Sequence, residues 1–458
     1  MTSKIVVNNI ESDSGINTVT IIGDVSVGSS ITATDITATH HGSGADLTNL
    51  PAANLTGTLP AISGANLTGI NTAFGSGTSI NTSGIITATA FVPSQGQLSH
   101  RNIIVNGDMR IAQRATSSTA VGYKTVDRIY GGYAGTDEAP TFTQADIGTS
   151  DSPYLSGFRK SFKIQNGNQT SGAGAADELF MTYNIEAQDL AQSGWDYTSS
   201  SSNITISFWV KSSVAQQFQV NMRLYPASGD QKEFCFEYTP SANTWTKVTK
   251  TIPGASGNVL RNTNELGMFI QFPQFYGSNY TANSRPFDTW ETKNNSQNYK
   301  DYATTWYTTN DATWEITGLQ LEVGPVATPF EHRNIGEELL RCYRYFVKYY
   351  GSTGGISVGD GAIATLANFT NTAAYGPIYL PVDMRAAPTP HNPPNYSNLV
   401  YYSSGQTFTP SGNQVAFTGA ATNRVEIRIN SMTNMSAGNA GWLRIASTAG
   451  YIEFNAEL

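Results

Sequence analysis

The chain has 458 residues and a net charge of -8, and charged residues make up only 13% of it, against about 25% in an average globular protein. Such a length exceeds a single core, so two or three domains plus an extended segment are expected. An acidic chain with no Lys/Arg stripe among its aromatics and no helix-turn-helix or zinc-finger spacing excludes nucleic acid, and no apolar run approaches the roughly 18 to 20 residues needed for membrane insertion.

Residues 1 to 99 differ from the rest. They hold one basic residue, Lys4, and a single large aromatic before residue 91, Phe74. The opening MTSKIVVNNIESDSG lacks the apolar centre of a secretory signal, so synthesis in a bacterial cytoplasm is expected. KIVVNNI, NTVTIIGDVSV and SITATDITAT read as short strands, and an Asx-Leu-Thr unit recurs around Leu47, Leu55 and Leu67. Each unit offers one apolar residue beside a turn, so no copy buries its own hydrophobic face. Three chains around one axis can fill a narrow shared core with those leucines, which points to a homotrimeric shaft. A low-complexity linker is the other reading of residues 40 to 85.

Residues 100 to 333 carry alternating runs, among them FRKSFKIQ, ELFMTYNIEA, ITISFWVKSS, QQFQVNMRLY, KEFCFEY, WTKVTKTI, LGMFIQF and WEITGLQLEV. Gly, Pro, Asn and Ser clusters separate them, and no helix-length periodicity intervenes. The expected fold class is all-β, with a jelly-roll-like sandwich here. Asn334 stands as an N-cap with Glu337 three residues on, opening a helix expected over about 335 to 350 within a linking segment, 334 to 351. Its broad apolar face includes Leu339, Tyr343 and Phe346, which either pack on the sandwich or meet symmetry mates in a trimer core. Residues 352 to 458 read as a second, smaller β-sandwich.

Enzymatic chemistry finds little support. The five histidines, His40, His41, His100, His332 and His391, have no Ser, Cys or carboxylate at a distinctive spacing, and nucleophile-elbow and H-E-x-x-H patterns are missing. A tandem His40–His41 near a trimer axis can gather imidazoles around a metal, but neighbours in an extended chain point to opposite faces. The pairs Asp137/Glu138, Asp177/Glu178 and Asp288/Glu291 are the carboxylates that glycan cleavage would draw on, and polar loops carry such pairs by chance. Cys235 and Cys342 are flanked by large apolar residues and read as core thiols.

Binding is better supported. The stretch FYGSNYTANSRPFDTWETKNNSQNYKDYATTWYTTN, residues 275 to 310, mixes aromatics with amides and hydroxyls and has no clean period. Aromatic faces pack on the C–H surfaces of sugar rings, while amides pair with hydroxyls as donors and acceptors. Tyr280, Trp290, Tyr302, Trp306 and Tyr307 are the candidates there, and Tyr396, Tyr401 and Tyr402 form a second set in HNPPNYSNLVYYSSG. No cofactor is expected. Structural calcium at Asp288, Asp301 or Asp311 would be the exception, although no twelve-residue calcium loop is visible.

Four segments carry a family resemblance: RNIIVNGDMRIAQR with VDRIY at 126 to 130, ITGLQLEVGPVATPFEHRNIGEELLRCYRYF, LPVDMRAAPTP, and YIEFNAEL. Together they resemble segments of bacteriophage tail-fibre proteins, especially those of cyanophages. GADLTNL, ANLTGTL and GANLTGI are similar to the repeats that precede such domains in fibre shafts. The resemblance implies a trimeric receptor-binding fibre of the virion with lectin-like domains, released by lysis. Its partners would be a tail or baseplate adaptor at the N-terminal segment and a host-surface glycan. A capsid fibre or decoration protein is the structural alternative, and a polysaccharide-cleaving adsorption enzyme is the alternative from another class.

Overall fold

In the computed structural model the described residues are 6–8, 20, 22, 24 and 26, and then 99–458 apart from 256–258, 296–297, 352–360, 392–397 and 448–449. The chain divides into two compact units, Met1–Thr87 and Ala88–Leu458. In the first, Val6, Val7 and Ile22 are exposed. Leu47, Leu55, Leu67, His40, His41 and the repeats around them lie outside the described residues.

The second unit is built almost entirely of antiparallel sheet. Six strands form one layer in the order Ser117–Ser118, Thr141–Asp146, Lys160–Gln165, Thr313–Val323, Asn203–Ser212 and Thr246–Pro253. The facing layer has the order Trp290–Thr292, Lys232–Tyr238, Phe218–Leu224, Leu266–Tyr276, Glu178–Glu186 and Ile129–Ala134. Period-2 alternation turns Phe162, Ile164, Phe208, Val210, Trp314 and Ile316 of the first layer toward Leu179, Met181, Phe234, Phe236, Ile270 and Phe272 of the second. This is the jelly-roll-like sandwich.

A second core lies C-terminal to it. A seven-stranded sheet runs in the order Gln406–Phe408, Leu399–Ser403, Ala440–Ile445, Ala362–Asn368, Ala374–Tyr379, Arg424–Ile429 and Val415–Ala421. A three-stranded sheet, Phe346–Tyr350, Tyr451–Asn455 and Thr389–His391, closes it. Val347, Ile452 and Phe454 from the small sheet share this core with Leu366, Ile378, Ile427 and Leu443.

The helix between the two cores is shorter than its apolar face suggests. It spans Ile335–Tyr343, and Phe346–Tyr350 is instead a strand pairing with Tyr451–Asn455. Ladder hydrogen bonds to the C-terminal strand prevail over a helical period that aromatic and β-branched residues support only weakly. Asn334 does cap the helix, its side chain accepting from the Glu337 amide at 2.8 Å, while Glu337 turns to Arg341 at 3.0 Å. Leu339 packs on Val105, Ile111 and Cys342, Tyr343 packs on the second core, and Phe346 lies under the Arg114 guanidinium at 3.6 Å. Within the chain Leu339 and Tyr343 are half-buried and Phe346 is buried. The exposed apolar positions of the helix are Ile335 and Leu340.

The segments that carry the family resemblance converge on the seam between the two cores. Asn106 donates to the carbonyls of Ile111 and Asp127 at 2.9 Å each, and Arg333 donates to the Ile104 carbonyl at 3.2 Å. Arg344 grips Glu186 through two hydrogen bonds of 2.7 Å. Arg385 donates to the carbonyls of Ala456, Glu457 and Asn264 at 2.7, 2.9 and 2.9 Å. Nearly every polar residue that stands out in those segments thus closes a buried backbone group or another charge.

Candidate functional site

The outer face of the second layer of the jelly-roll-like sandwich carries a line of rings. In Glu178–Glu186 the residues Leu179, Met181, Tyr183 and Ile185 enter the core, so Phe180 must face outward. Across the ladder Phe180 pairs with Gly132 on one side and Pro273 on the other. A Cβ on Gly132 would lie 2.3 Å from the Phe180 ring, so the bare glycine is what lets that ring lie flat over its neighbour strand. Tyr130 and Phe180 are parallel within 10° at 6.3 Å, and Phe180 and Tyr276 within 12° at 5.8 Å. Tyr299 continues the series against Tyr276 at 3.8 Å, and Tyr123 and Tyr280 meet its two ends edge-on. Tyr123, Tyr130, Phe180, Tyr276 and Tyr280 are all half-buried.

Beside this ladder residues 277–295 and 298–303 fold back over the same face. The Tyr299 hydroxyl donates to Gln271, the Lys300 amide donates to Gln219 at 3.0 Å, and Lys300 and Tyr302 both reach Glu237, at 3.0 and 2.8 Å. Arg285 is buried against Glu233 at 3.0 Å and the Cys235 sulfur at 3.2 Å. Burial pushes the Cys235 thiol up to about 11, which keeps it protonated and unreactive.

Under this cover lie two carboxamides of unusual status. Asn221 is 0% exposed and Gln274 3%, and in both the amide nitrogen and oxygen have no hydrogen-bond partner among the described residues. Gln274 borders a cavity of about 20 Å³ together with Gln219, Tyr276, Tyr299 and Tyr302. That is room for about one water molecule, or for a single hydroxyl group reaching in from outside. A buried amide without partners costs roughly 1 to 3 kcal/mol, so its retention beside an aromatic ladder calls for a reason.

The aromatics singled out from the sequence divide sharply. Tyr280 joins the end of the ladder, and Tyr302 borders the Gln274 cavity. Trp290 is half-buried, its ring against Phe234 and its indole N–H on the Pro253 carbonyl at 2.8 Å. Trp306 and Tyr307 are both 0% exposed and are no part of an open face. Trp306 donates to the Thr313 carbonyl at 3.1 Å, while Tyr307 stacks on Phe275 at 4.1 Å and donates to Asp177 at 3.1 Å. They anchor the loop to the core. Tyr401 is likewise buried, with its hydroxyl on Asn368 at 2.6 Å, whereas Tyr402 lies half-buried on the outer face of the seven-stranded sheet beside Trp442. Tyr396 lies outside the described residues. Tyr130, Phe180 and Tyr276 are not among the aromatics to which the sequence points. The signal for Phe180 was present in ELFMTYNIE, where three consecutive apolar residues in a strand require one to point away from the core.

The aspartates singled out for calcium are placed apart. Asp288 pairs with Lys250 at 2.6 Å, Asp311 accepts from Gln165 at 2.8 Å, and Asp301 is exposed. Among the described residues no group of three His, Cys, Asp or Glu is placed to hold a metal ion. Asp137 is held below the usual carboxylate range by the Ser171 backbone N–H and hydroxyl, and burial alone raises Glu178.

No family model matches the chain, and no curated protein matches it in sequence. Solved structures show distant likenesses. The enzymatically active domain of tailspike protein 4 from bacteriophage CBA120 is similar at 12% identity and a TM-score of 0.28, over 49% of this chain and 21% of that one. A family 11 carbohydrate-binding module from Clostridium thermocellum, in complex with a mixed-linked tetrasaccharide, is similar at 10% identity and a TM-score of 0.23, over 46% and 98%. A xylan-binding domain from Paenibacillus barcinonensis is similar at 9% identity and a TM-score of 0.22, over 46% and 94%. At such distances the chemistry has to come from the residues themselves.

Those residues combine a half-exposed aromatic surface with neutral amides and a few charges already paired within the chain. That surface suits a ligand with apolar C–H faces and many hydroxyls, which describes a neutral sugar chain.

Proposed function

We propose that this protein binds a host-surface glycan without cleaving it, as a homotrimeric tail fibre of a phage virion. The observation that carries the reading is the Tyr130–Phe180–Tyr276 ladder next to the unpartnered Gln274 amide: the rings supply a surface for sugar C–H groups, and the amide offers a donor and an acceptor to a hydroxyl. Residues 1 to 99 then serve as shaft and adaptor attachment, as the fibre-like repeats suggest. Weak single contacts suit such a device, because three copies per fibre convert later contacts into intramolecular ones at high effective concentration.

The test uses the full chain and polysaccharide from the outer envelope of marine cyanobacteria. Retention on the immobilised polysaccharide with no new reducing ends is the expected result. Release of reducing ends would replace the reading with that of a depolymerase, and absence of retention would overturn it.

A further inference from the structure

The opposite layer of the same sandwich carries a larger cavity, of about 470 Å³, lined by Ser207, Trp209, Lys247, Phe158, Phe330 and His332 among others. Its origin is a break in strand register. Thr313–Val323 shifts against Asn203–Ser212 between Thr317 and Gln320, and Gly318 sits there with φ 64°. A Cβ on Gly318 would stand 2.7 Å from the Phe158 ring, so the glycine admits that ring at the bulge. Phe158, Phe330 and His332 form one cluster with centroids 4.9 to 5.0 Å apart, fixed by His332 Nε2 at 3.0 Å from the Ser156 carbonyl.

Trp209 is half-buried beside this cluster, and Lys247 is its direct partner across the ladder. Two lysines of the same layer are neutralised, Lys160 by Asp146 and Lys211 by Glu315. Lys247 has no carboxylate within reach among the described residues, and the Trp209 indole N–H has no acceptor among them. The lining contains no Asp or Glu. An apolar ring wall, one unused indole donor and an uncompensated ammonium together suit a ring with an apolar C–H face that carries an anion.

We propose that this groove is a second carbohydrate site, selective for an acidic pyranose of the hexuronate class, with Trp209 under the ring and Lys247 on the carboxylate. It extends the glycan reading to the other face of the sandwich and changes the ligand from neutral to anionic. Both faces being occupied by one polysaccharide would make each sandwich bivalent.

The experiment follows the indole N–H resonances of the seven tryptophans in ¹⁵N-labelled full-length protein during titration with glucuronate, galacturonate and mannuronate oligosaccharides. At least one series shifts a resonance that Trp209→Phe removes from the spectrum. Lys247→Met, an exposed position, weakens that titration about tenfold, as loss of a charge-assisted contact does. Phe180→Ala leaves it unchanged. No shift with any of the three, or shifts indifferent to Lys247→Met, overturns the site. Failure of the ladder shows up separately, as Phe180→Ala leaving retention on envelope polysaccharide unaffected.

Discussion

Arg128 and Glu457 form a buried ion pair, although 329 positions separate them in the chain. The guanidinium is 1% exposed, lies 3.4 Å from the centroid of Tyr345 and donates its other arm to the Asn184 carbonyl. A charge so placed is tolerated only with its partner present. Removing one side, as in Arg128→Met or Glu457→Gln, is expected to cost about 3 to 5 kcal/mol in urea unfolding. The double change Arg128→Met with Glu457→Leu should recover much of that. A single variant within about 1 kcal/mol of the parent would mean that the seam is held by other contacts.

The ladder predicts a separation of binding from stability at Gly132. Gly132→Ala places a methyl group where the Phe180 ring now lies, and a half-buried ring can swing aside. Retention on envelope polysaccharide should fall at least about fivefold, matching Phe180→Ala, with a stability change below about 1 kcal/mol. Unfolding midpoints measured beside the binding curves decide the point. A large stability loss with binding intact would remove the ring from the site.

Gln274 makes the reverse kind of prediction. Replacing a buried amide without partners by an apolar side chain of similar shape is close to neutral or stabilising. Gln274→Met should therefore leave stability unchanged or raise it by about 1 kcal/mol, while weakening glycan retention several-fold. Destabilisation by more than about 1 kcal/mol would indicate that the amide serves the fold.

Acidity should act through Asp127. Burial pushes its carboxyl up to about 6, against the pull of Arg114 at 3.8 Å and the hydrogen bond from the Gln113 amide at 2.9 Å. The unfolded chain titrates near about 4, so between those values the folded state keeps a proton that the unfolded state has released. Stability from this group is full below about pH 4 and is lost as pH rises through 6, by roughly 3 kcal/mol for two pH units. Denaturant midpoints at pH 4.5 and 7 should differ less in Asp127→Asn than in the parent. Equal differences would contradict the assignment.

Association is tested by light scattering of the full-length chain beside one starting at Ser99. The fibre reading expects the full chain at three times its 49.2 kDa mass. Because Leu339, Tyr343 and Phe346 are used within the chain, the shorter protein should be a monomer. A full-length monomer would leave the repeats without a shared core.

The sheet content and most strands of the first sandwich were legible because alternation there is strict. What the sequence could not show was competition for the same residues. Phe346 to Tyr350 satisfy a helical period and a strand period alike, and only the pairing with Tyr451–Asn455 decides between them. Trp306 and Tyr307 resemble recognition aromatics because their polar neighbours give no period, yet a four-residue helix turns both inward. Tyr130, Phe180 and Tyr276 come from three distant strands, and their alignment depends on register. The polar segments that suggested a family are also those least concerned with a ligand, since Asn106, Arg333, Arg344 and Arg385 spend their hydrogen bonds on the seam.

The pairing of Phe346–Tyr350 with Tyr451–Asn455 brings the chain out and back through one doorway, where the Gly351 amide donates to the Gly450 carbonyl at 3.2 Å. The chain between them is tied back twice, by Arg385 donating to the Asn264 carbonyl at 2.9 Å and by Thr389–His391 pairing with Tyr451–Asn455. A replacement of this excursion has to cover Val347, Ile452 and Phe454 and to restore both ties, whereas extra length in its exposed loops adds only a small entropic cost.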